Sequence, residues 1–258
     1  MGIDFHHEKN RNTYSTRKVD ETWVQAINDL VEFDNISQAL DIGCGGGIYS
    51  KALSEMGVSS VTGIDFSEEI LKGARENCKD YQNISFTQGN ALQTGLESNN
   101  YNLLLERALI HHIQDLQKCF EEAYRLLKDE GVYIVQDRTP EDCLLKGTDS
   151  HIRGYFFELF PRLIEKESKR RYNSQYVLQT LKEVGFREIQ EVKLWETRKV
   201  YMNKKQLLED LSKRTGRSIL HELNDNELQS LINYIDEAVS TKGNIVERDR
   251  WTIWKAVK

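Results

Sequence analysis

The sequence predicts an α/β fold in which a doubly wound, mostly parallel sheet carries helices on both faces. Strand-like and helix-like segments alternate along its 258 residues, as they do in such sheets. Residues 102–105 and 132–135 are nearly continuous apolar runs, which is typical of strands buried on both faces. A glycine-rich turn at 43–47 lies between the first strand-like segment and the helix-like segment after it.

The first half of the chain gives the clearest alternation. A helix is predicted over 16–33, because apolar side chains such as Trp23 and Ile27 recur at helical spacing. Gly57 and Gly131 fall just after predicted helices, where a left-handed cap costs little. The strands that follow are predicted over residues 38–43, 59–65, 83–88, 101–106 and 131–137. The helices between them are predicted over residues 48–56, 67–79 and 115–128.

The alternation changes after Pro140. The mixed segment 141–172 contains an aromatic group at 155–160, and its mixed charges at 166–171 predict a solvated helix face. Asn224 is a suitable N-cap for a helix that begins beside it. The remaining elements are predicted as helices over 174–184, 203–214 and 224–240, and strands over 186–195 and 250–257.

The turn itself indicates a nucleoside site. Glycines let backbone N–H groups approach a ligand, and Asp65, about twenty residues later, ends the next strand with a carboxylate for ribose hydroxyls. The dinucleotide pattern G-x-G-x-x-G is incomplete, because Ile48 and Ser50 occupy its last position in the two possible registers. Asp41 would also repel a pyrophosphate, whereas a ligand with an amino group and a sulfonium would be attracted. A glycine turn that binds nothing is the alternative.

Four blocks in this chain resemble the class I S-adenosylmethionine-dependent methyltransferases, in the type 11 branch that includes the ubiquinone and menaquinone biosynthesis enzymes. The resemblance covers about residues 36–140 and is weaker toward the C-terminus. The four blocks are residues 41–47 (DIGCGGG), 63–67 (GIDFS), 88–91 (QGNA) and 106–113 (ERALIHHI).

This resemblance implies a Rossmann-like sheet of seven strands, the last one antiparallel, with helical additions that form a cap. It implies S-adenosyl-L-methionine as cofactor and no metal. The last two strands would be separated by a helical insertion of some fifty residues. We expect the cofactor-binding core at 36–140, 174–200 and 248–258, and cap segments at 1–35, 141–173 and 201–247.

The resemblance also implies roles for individual residues. Asp65 would accept hydrogen bonds from both ribose hydroxyls, and Phe66 would lie against adenine or pack in the core. The adenine loop would use Asn90, where the family usually has aspartate, and the N–H of Ala91. The methionine portion would contact the turn residues and a backbone group after the fourth strand, namely Asp41, Gly43, Cys44, Gly45, Gly47 and Arg107.

Candidate catalytic residues are His111 and His112, because the family places this segment near the methyl group. Either imidazole would act as a base or orient an acceptor, and the alternative is a structural role. Tyr14 and Arg17 precede the first helix, where an aromatic ring would cover the cofactor and an arginine would pair with its carboxylate. A general base is required only if the acceptor loses a proton.

Composition restricts the partners. The net charge of −6 gives no reason to expect nucleic acid, and no apolar run is long enough for a membrane span. Four scattered cysteines without ligand-like spacing, and no signal-like N-terminus, predict a cytoplasmic protein. The expected function is methyl transfer to a small molecule. The alternatives are a cofactor-binding protein without that activity and, less favoured by the glycine spacing, a nicotinamide oxidoreductase.

Overall fold

A computed structural model describes residues 19–240 and 243–258 of the chain. Within these residues seven strands form one sheet. The strands are β1 Gln38–Ile42, β2 Ser60–Asp65, β3 Ile84–Gln88, β4 Tyr101–Arg107, β5 Leu127–Asp137, β6 Arg187–Tyr201 and β7 Ile245–Val257. Their order across the sheet is β3-β2-β1-β4-β5-β7-β6.

The helices are distributed between the strands and two longer insertions. The first four are α1 Glu21–Leu30, α2 Ile48–Glu55, α3 Glu68–Asn77 and α4 Leu116–Leu126. The others in the described residues are α5 Pro140–Cys143, α6 Gly154–Leu159, α7 Arg162–Lys169, α8 Ser174–Val184, α9 Lys204–Ser212 and α10 Asp225–Ala238.

The sheet has its topological switch beside the glycine turn. Strand β1 pairs in parallel with β2 on one side and β4 on the other, and β3 and β5 extend the sheet outward in parallel. Strand β7 pairs antiparallel with β5. The predicted doubly wound, mostly parallel sheet with an antiparallel last strand is therefore confirmed. In open sheets of this kind, ligands bind at the carboxyl ends of the strands that flank the switch.

The chain forms two compact units. The first, which we call the sheet unit, consists of the described residues up to Asp137 together with Ser174–Leu194 and Thr252–Lys258. Its apolar core joins Trp23 and Ile27 of α1 to residues of β1, β2, β4 and β5.

The second unit, which we call the helical unit, consists of Arg138–Asn173 and the described residues of Trp195–Trp251. Its separate apolar core includes Phe156 of α6, Leu207 of α9, and Leu231 and Ile235 of α10. Strands β6 and β7 each contribute residues to both units.

Three local predictions are wrong. Residues 166–171 do not form a fully solvated face, because Glu167 and Arg171 are buried and hydrogen bonded to each other. Gly131 is not a helix cap, since α4 ends at Leu126 and Glu130 takes the positive φ of 63° instead. Strands β6 and β7 are longer than predicted, with 15 and 13 residues.

No helix among the described residues is both long enough and apolar enough to cross a membrane.

Candidate functional site

The glycine turn is held against the end of β2 and leaves an open surface. The backbone N–H groups of Gly43 and Cys44 both donate to the carbonyl of Ile64, at 2.8 and 2.9 Å. Gly43, Gly45 and Gly47 have φ angles of 73°, 53° and 76°, a region that side chains other than glycine's enter at a cost. A Cβ built on Gly45 would meet nothing within 4 Å, so a ligand has access to the backbone there.

Asp65 is fixed at the mouth of this turn. Its carboxylate accepts hydrogen bonds from the N–H groups of Gly45 at 3.0 Å and Ser67 at 2.9 Å. These two contacts, one to each oxygen, fix the orientation of the carboxylate. Phe66 follows directly, and its ring is 63% exposed. The pair therefore presents an oriented carboxylate beside an exposed aromatic surface.

Asp41 lies deeper, under the same turn. Its carboxylate accepts a hydrogen bond from Ser50 Oγ at 2.6 Å and is buried. Burial raises the pKa of Asp41 to about 7; the Ser50 hydrogen bond opposes that rise, the Asp65 charge adds to it, and Arg107 opposes it weakly. A cationic group beside this carboxylate would favour its ionised form.

The segment after β4 packs directly on the glycine turn. A Cβ built on Gly43 would lie 2.9 Å from Leu109 Cδ1, so the leucine occupies the space that glycine leaves. Ala108, with φ of 54°, donates its N–H to the carbonyl of Gln136 at 2.8 Å. These contacts hold residues 107–111 beside the turn.

Arg107 is oriented by neighbours from two other elements, β5 and α2. Its Nε donates to Gln136 Oε1 at 3.1 Å, and its guanidinium lies 4.3 Å from the ring centre of Tyr49 on α2. The same Gln136 oxygen accepts the Trp23 Nε1–H at 2.7 Å, which links α1 to the end of β5. The side chain of Arg107, and not only its backbone, therefore belongs to this edge of the sheet.

The two histidines differ in their surroundings. His111 Nδ1 lies 2.8 Å from Oδ2 of Asp137, and the backbone N–H of His111 donates to the same oxygen at 3.2 Å. His112 is exposed, and its ring centre lies 4.0 Å from that of His111 at an angle of 43°. The ring of His111 is thus held by a carboxylate.

The remaining predicted residues occupy simpler positions. Asn90 Oδ1 accepts the N–H of Leu92 at 2.9 Å, while Ala91 between them is partly buried. The Cys44 side chain is buried beneath the turn, where burial raises the pKa of its thiol. A Cβ on Gly47 would contact Phe86 at 2.9 Å, so packing also requires glycine there. Tyr14 and Arg17 lie outside the described residues.

Sequence reasoning missed Gln136 and Asp137. Both end β5, and Asp137 is 2% exposed while Gln136 is fully buried. The sequence does contain a pattern that indicates them, because both are polar residues directly after the apolar run 132–135. They therefore stand at the carboxyl end of a parallel strand, where ligands bind. The lateral position of β5 beside β4, which brings Asp137 to His111, came only from the structure.

Comparison with known proteins gives consistent matches. The family described as "Methyltransferase domain" matches residues 34–207, more than half of the chain. Demethylmenaquinone methyltransferase of Staphylococcus epidermidis is 27% identical over 155 residues, which cover 59% of this chain and 64% of that protein. Ubiquinone biosynthesis O-methyltransferase of Histophilus somni is 33% identical over 114 residues, which cover 42% and 46%. The chain thus matches less than two thirds of the length of either relative.

Solved structures give the same fold. Phosphoethanolamine N-methyltransferase 2 of Haemonchus contortus, in complex with S-adenosyl-L-methionine, superposes with a TM-score of 0.59 at 19% identity. That match covers 99% of this chain and 60% of the Haemonchus contortus protein. Because the family model matches residues 34–207, the chain belongs to the methyltransferase domain family, and it is similar in sequence to the menaquinone and ubiquinone enzymes named above.

Proposed function

We propose that this chain transfers a methyl group from S-adenosyl-L-methionine to a small-molecule acceptor. The observation that carries the proposal is the carboxylate of Asp65, held by Gly45 and Ser67 beside an open glycine turn and the exposed ring of Phe66. These features suit a nucleoside, because its two ribose hydroxyls can donate hydrogen bonds to the carboxylate and its base can stack on the aromatic ring.

The residues present fit the cofactor. Asp65 would hold the ribose hydroxyls and Phe66 the adenine face, with the N–H of Ala91 toward adenine N1. Asn90 has one acceptor position occupied by Leu92 and would use the other, or its amide N–H₂, at the adenine edge.

The methionine portion would lie along the turn. Gly43, Cys44, Gly45 and Gly47 shape the backbone that receives it, and Asp41 would attract its ammonium group. The Arg107 guanidinium, oriented by Gln136 and Tyr49, would pair with the carboxylate of the cofactor. The sequence indicated Arg17 for that role.

In methyl transfer from this cofactor, the main role of the protein is to position the two reactants. Bound S-adenosyl-L-methionine supplies an electrophilic methyl group whose leaving group is already activated by the positive charge on sulfur. The chain's own residues align the acceptor and exclude water. Such alignment can lower the activation barrier by up to about 7–11 kcal/mol. His111 and His112, beside the turn, are the candidates for receiving an acceptor proton.

A small-molecule acceptor is supported by the names of the relatives, a demethylmenaquinone and a ubiquinone biosynthesis enzyme. We also propose that the sheet unit, which holds the glycine turn and Asp65, binds the cofactor. The cytoplasm is the proposed location, since Cys44, Cys78, Cys119 and Cys143 are all free thiols. The net charge of −6 supports an acceptor other than nucleic acid.

Thermal unfolding with S-adenosyl-L-methionine, S-adenosylhomocysteine or NADH tests the cofactor. A ligand at about 100 times its dissociation constant stabilises the fold by about 2.7 kcal/mol, or roughly 5–10 °C here. We expect the shift with the first two ligands, its loss in Asp65→Ala, and its retention in Asp80→Ala, an exposed carboxylate of equal charge. A shift with NADH alone would contradict the proposal.

Turnover is tested separately. Wild-type protein is incubated with cofactor tritiated on the methyl group and a low-molecular-mass metabolite extract, and transfer into that extract is counted. Cofactor binding without any transfer would favour the second candidate, a cofactor-binding protein without methylation activity.

A further inference from the structure

The end of β5 provides His111 with a carboxylate partner that no sequence motif indicated. Asp137 Oδ2 lies 2.8 Å from His111 Nδ1 and 3.2 Å from the backbone nitrogen of the same residue. Two contacts from one oxygen fix both the ring and the main chain to which it is attached. The carboxylate side chain is 2% exposed and the imidazole 16%, so this hydrogen bond is largely shielded from water.

This contact selects one tautomer of the imidazole. When Asp137 is ionised, its carboxylate only accepts hydrogen bonds, and Nδ1 of His111 then carries the proton. The lone pair of the neutral ring is then on Nε2. Among the described residues, none forms a hydrogen bond with Nε2, and the ring is partly exposed. The arrangement presents a proton acceptor at the carboxyl edge of the sheet.

The surrounding contacts place this acceptor at the candidate cofactor site. His111 belongs to the short 3₁₀ helix Ile110–His112, which continues directly from Leu109. Leu109 packs against Gly43 of the turn, and the ring centre of His112 lies 4.0 Å from that of His111. Strand β5 supplies Asp137 from beside β4.

The geometry points to a His111–Asp137 pair in which Asp137 is the positioning residue and His111 Nε2 is the general base for an acceptor that carries a dissociable proton. This inference rests on the proposed function. The acceptor class is a hydroxyl, such as a phenol, in preference to a tertiary amine that has no proton to lose. Such a base contributes about 10²–10⁴-fold to a rate.

The step balances without a further reactant. Nε2 accepts the hydroxyl proton while an oxygen lone pair forms the new O–CH₃ bond. The old S–C bond breaks with its electron pair remaining on sulfur, which loses its positive charge. The imidazolium, stabilised by Asp137, afterwards releases the proton to water.

The first test reads the tautomer directly and needs no acceptor. Two-bond ¹H–¹⁵N spectra are recorded at pH 8 on protein labelled with ¹⁵N-histidine, and His111 is identified by its loss in His111→Gln. We expect Nδ1 protonated and Nε2 unprotonated in the wild type. Asp137→Asn is expected to reduce this preference, because the amide can donate as well as accept. Asp115→Asn, which keeps a capping side chain on α4 and removes the same charge, is expected to leave it unchanged.

An Nε2-protonated His111 in the wild type would overturn the inference, and that result does not depend on a variant that folds. An unchanged tautomer in folded Asp137→Asn would overturn the role of Asp137.

The second test separates this inference from the proposed function. Asp137→Asn is expected to keep the thermal shift with S-adenosylhomocysteine but to lower methyl transfer into the metabolite extract by about 100-fold or more. Full transfer by this variant would overturn the pair and leave the proposed function intact. No transfer by the wild type would overturn the proposed function, and with it the base.

Discussion

At the scale of single residues, Glu106 is a carboxylic acid buried in the sheet unit. It stands near the end of β4, where the thiol of Cys119 lies 3.5 Å from Oε2. Burial raises its pKa to about 7, and the neighbouring Tyr133 hydroxyl and Cys119 thiol only partly oppose the shift. In the unfolded chain the same group ionises near its ordinary value of 4.5. The folded state therefore retains a proton that the unfolded chain releases between about pH 4.5 and 7.

This difference predicts a pH-dependent gain for Glu106→Gln. Because the raised pKa belongs to the folded state, the contribution of Glu106 is full below pH 4.5 and is lost as the pH rises through about 7. The variant should match the wild type near pH 4 and exceed its free energy of unfolding by on the order of 3 kcal/mol at pH 8. Urea unfolding across this range measures the difference, and an equal gain at both pH values would contradict the assignment.

Asp41 gives a second prediction, which concerns cofactor binding. Its pKa of about 7 means that the carboxyl is mostly protonated at pH 6. Binding of an ammonium group beside it would favour ionisation and release a proton, so affinity should rise from pH 5 to 7 and then level off. Calorimetry of S-adenosylhomocysteine in buffers of different ionisation enthalpy measures that proton.

Variants show whether the proton comes from Asp41. Asp41→Asn should abolish the release at pH 6, whereas Glu106→Gln, which removes the other carboxyl with a pKa near 7, should preserve it. Release that persists in Asp41→Asn would assign the proton to another group.

At the scale of secondary structure, the elements with local signals were predicted closely. Asn224 caps α10, and its reciprocal hydrogen bonds with Glu227 form a capping box. Strands β1 to β4 differ from their predicted bounds by at most one residue. The ends of β6 and β7 were predicted less well, because their outer residues carry charges that pair within the helical unit. Apolar alternation cannot detect a strand whose inward face is ionic.

Gly63 of β2 allows a specific prediction about packing. A Cβ at this position would lie 2.6 Å from two ring carbons of Phe86 on β3. Gly63→Ala should therefore lower the free energy of unfolding by about 1–3 kcal/mol, and Phe86→Leu in the same background should recover part of it. Gly243→Ala, where a Cβ would meet nothing, is the control and should change stability little. Equal unfolding midpoints for the two alanine variants would contradict this account.

At the scale of the whole molecule, the helical unit is organised around two carboxylates of β7. Glu247 accepts hydrogen bonds from Arg198 at 2.9 Å and Arg217 at 2.8 Å. Asp249, two residues later on the same face, contacts Arg138 and Arg153 at 3.0 and 3.3 Å. Because alternate residues of a strand share a face, Glu247 and Asp249 can together pair with four guanidinium groups.

Glu247→Gln should destabilise the chain strongly. Arg217 is 1% exposed, and Asp210 at 2.5 Å would remain its only carboxylate among the described residues. Removing one partner from a buried ionic network costs about 3–5 kcal/mol. Glu165→Gln is the matched control, because Glu165 pairs with Lys169 on the surface with both side chains 74% exposed. Guanidinium unfolding should separate the two variants, and similar midpoints would mean that the network is not stabilising.

The sequence by itself determined the strand order along the chain, the glycine turn, the carboxylate of Asp65 and the helix cap at Asn224. Each of these depends on residues close together in sequence, where backbone preference and periodicity act directly. Only the tertiary structure decided that Asp137 meets His111, that Gln136 orients Arg107, and that Glu167 and Arg171 are buried. Those contacts join residues from different elements or bury a charged face, and they follow from which strands and helices become neighbours. A local pattern of charge or polarity does not indicate which strand or helix will pack against a given residue.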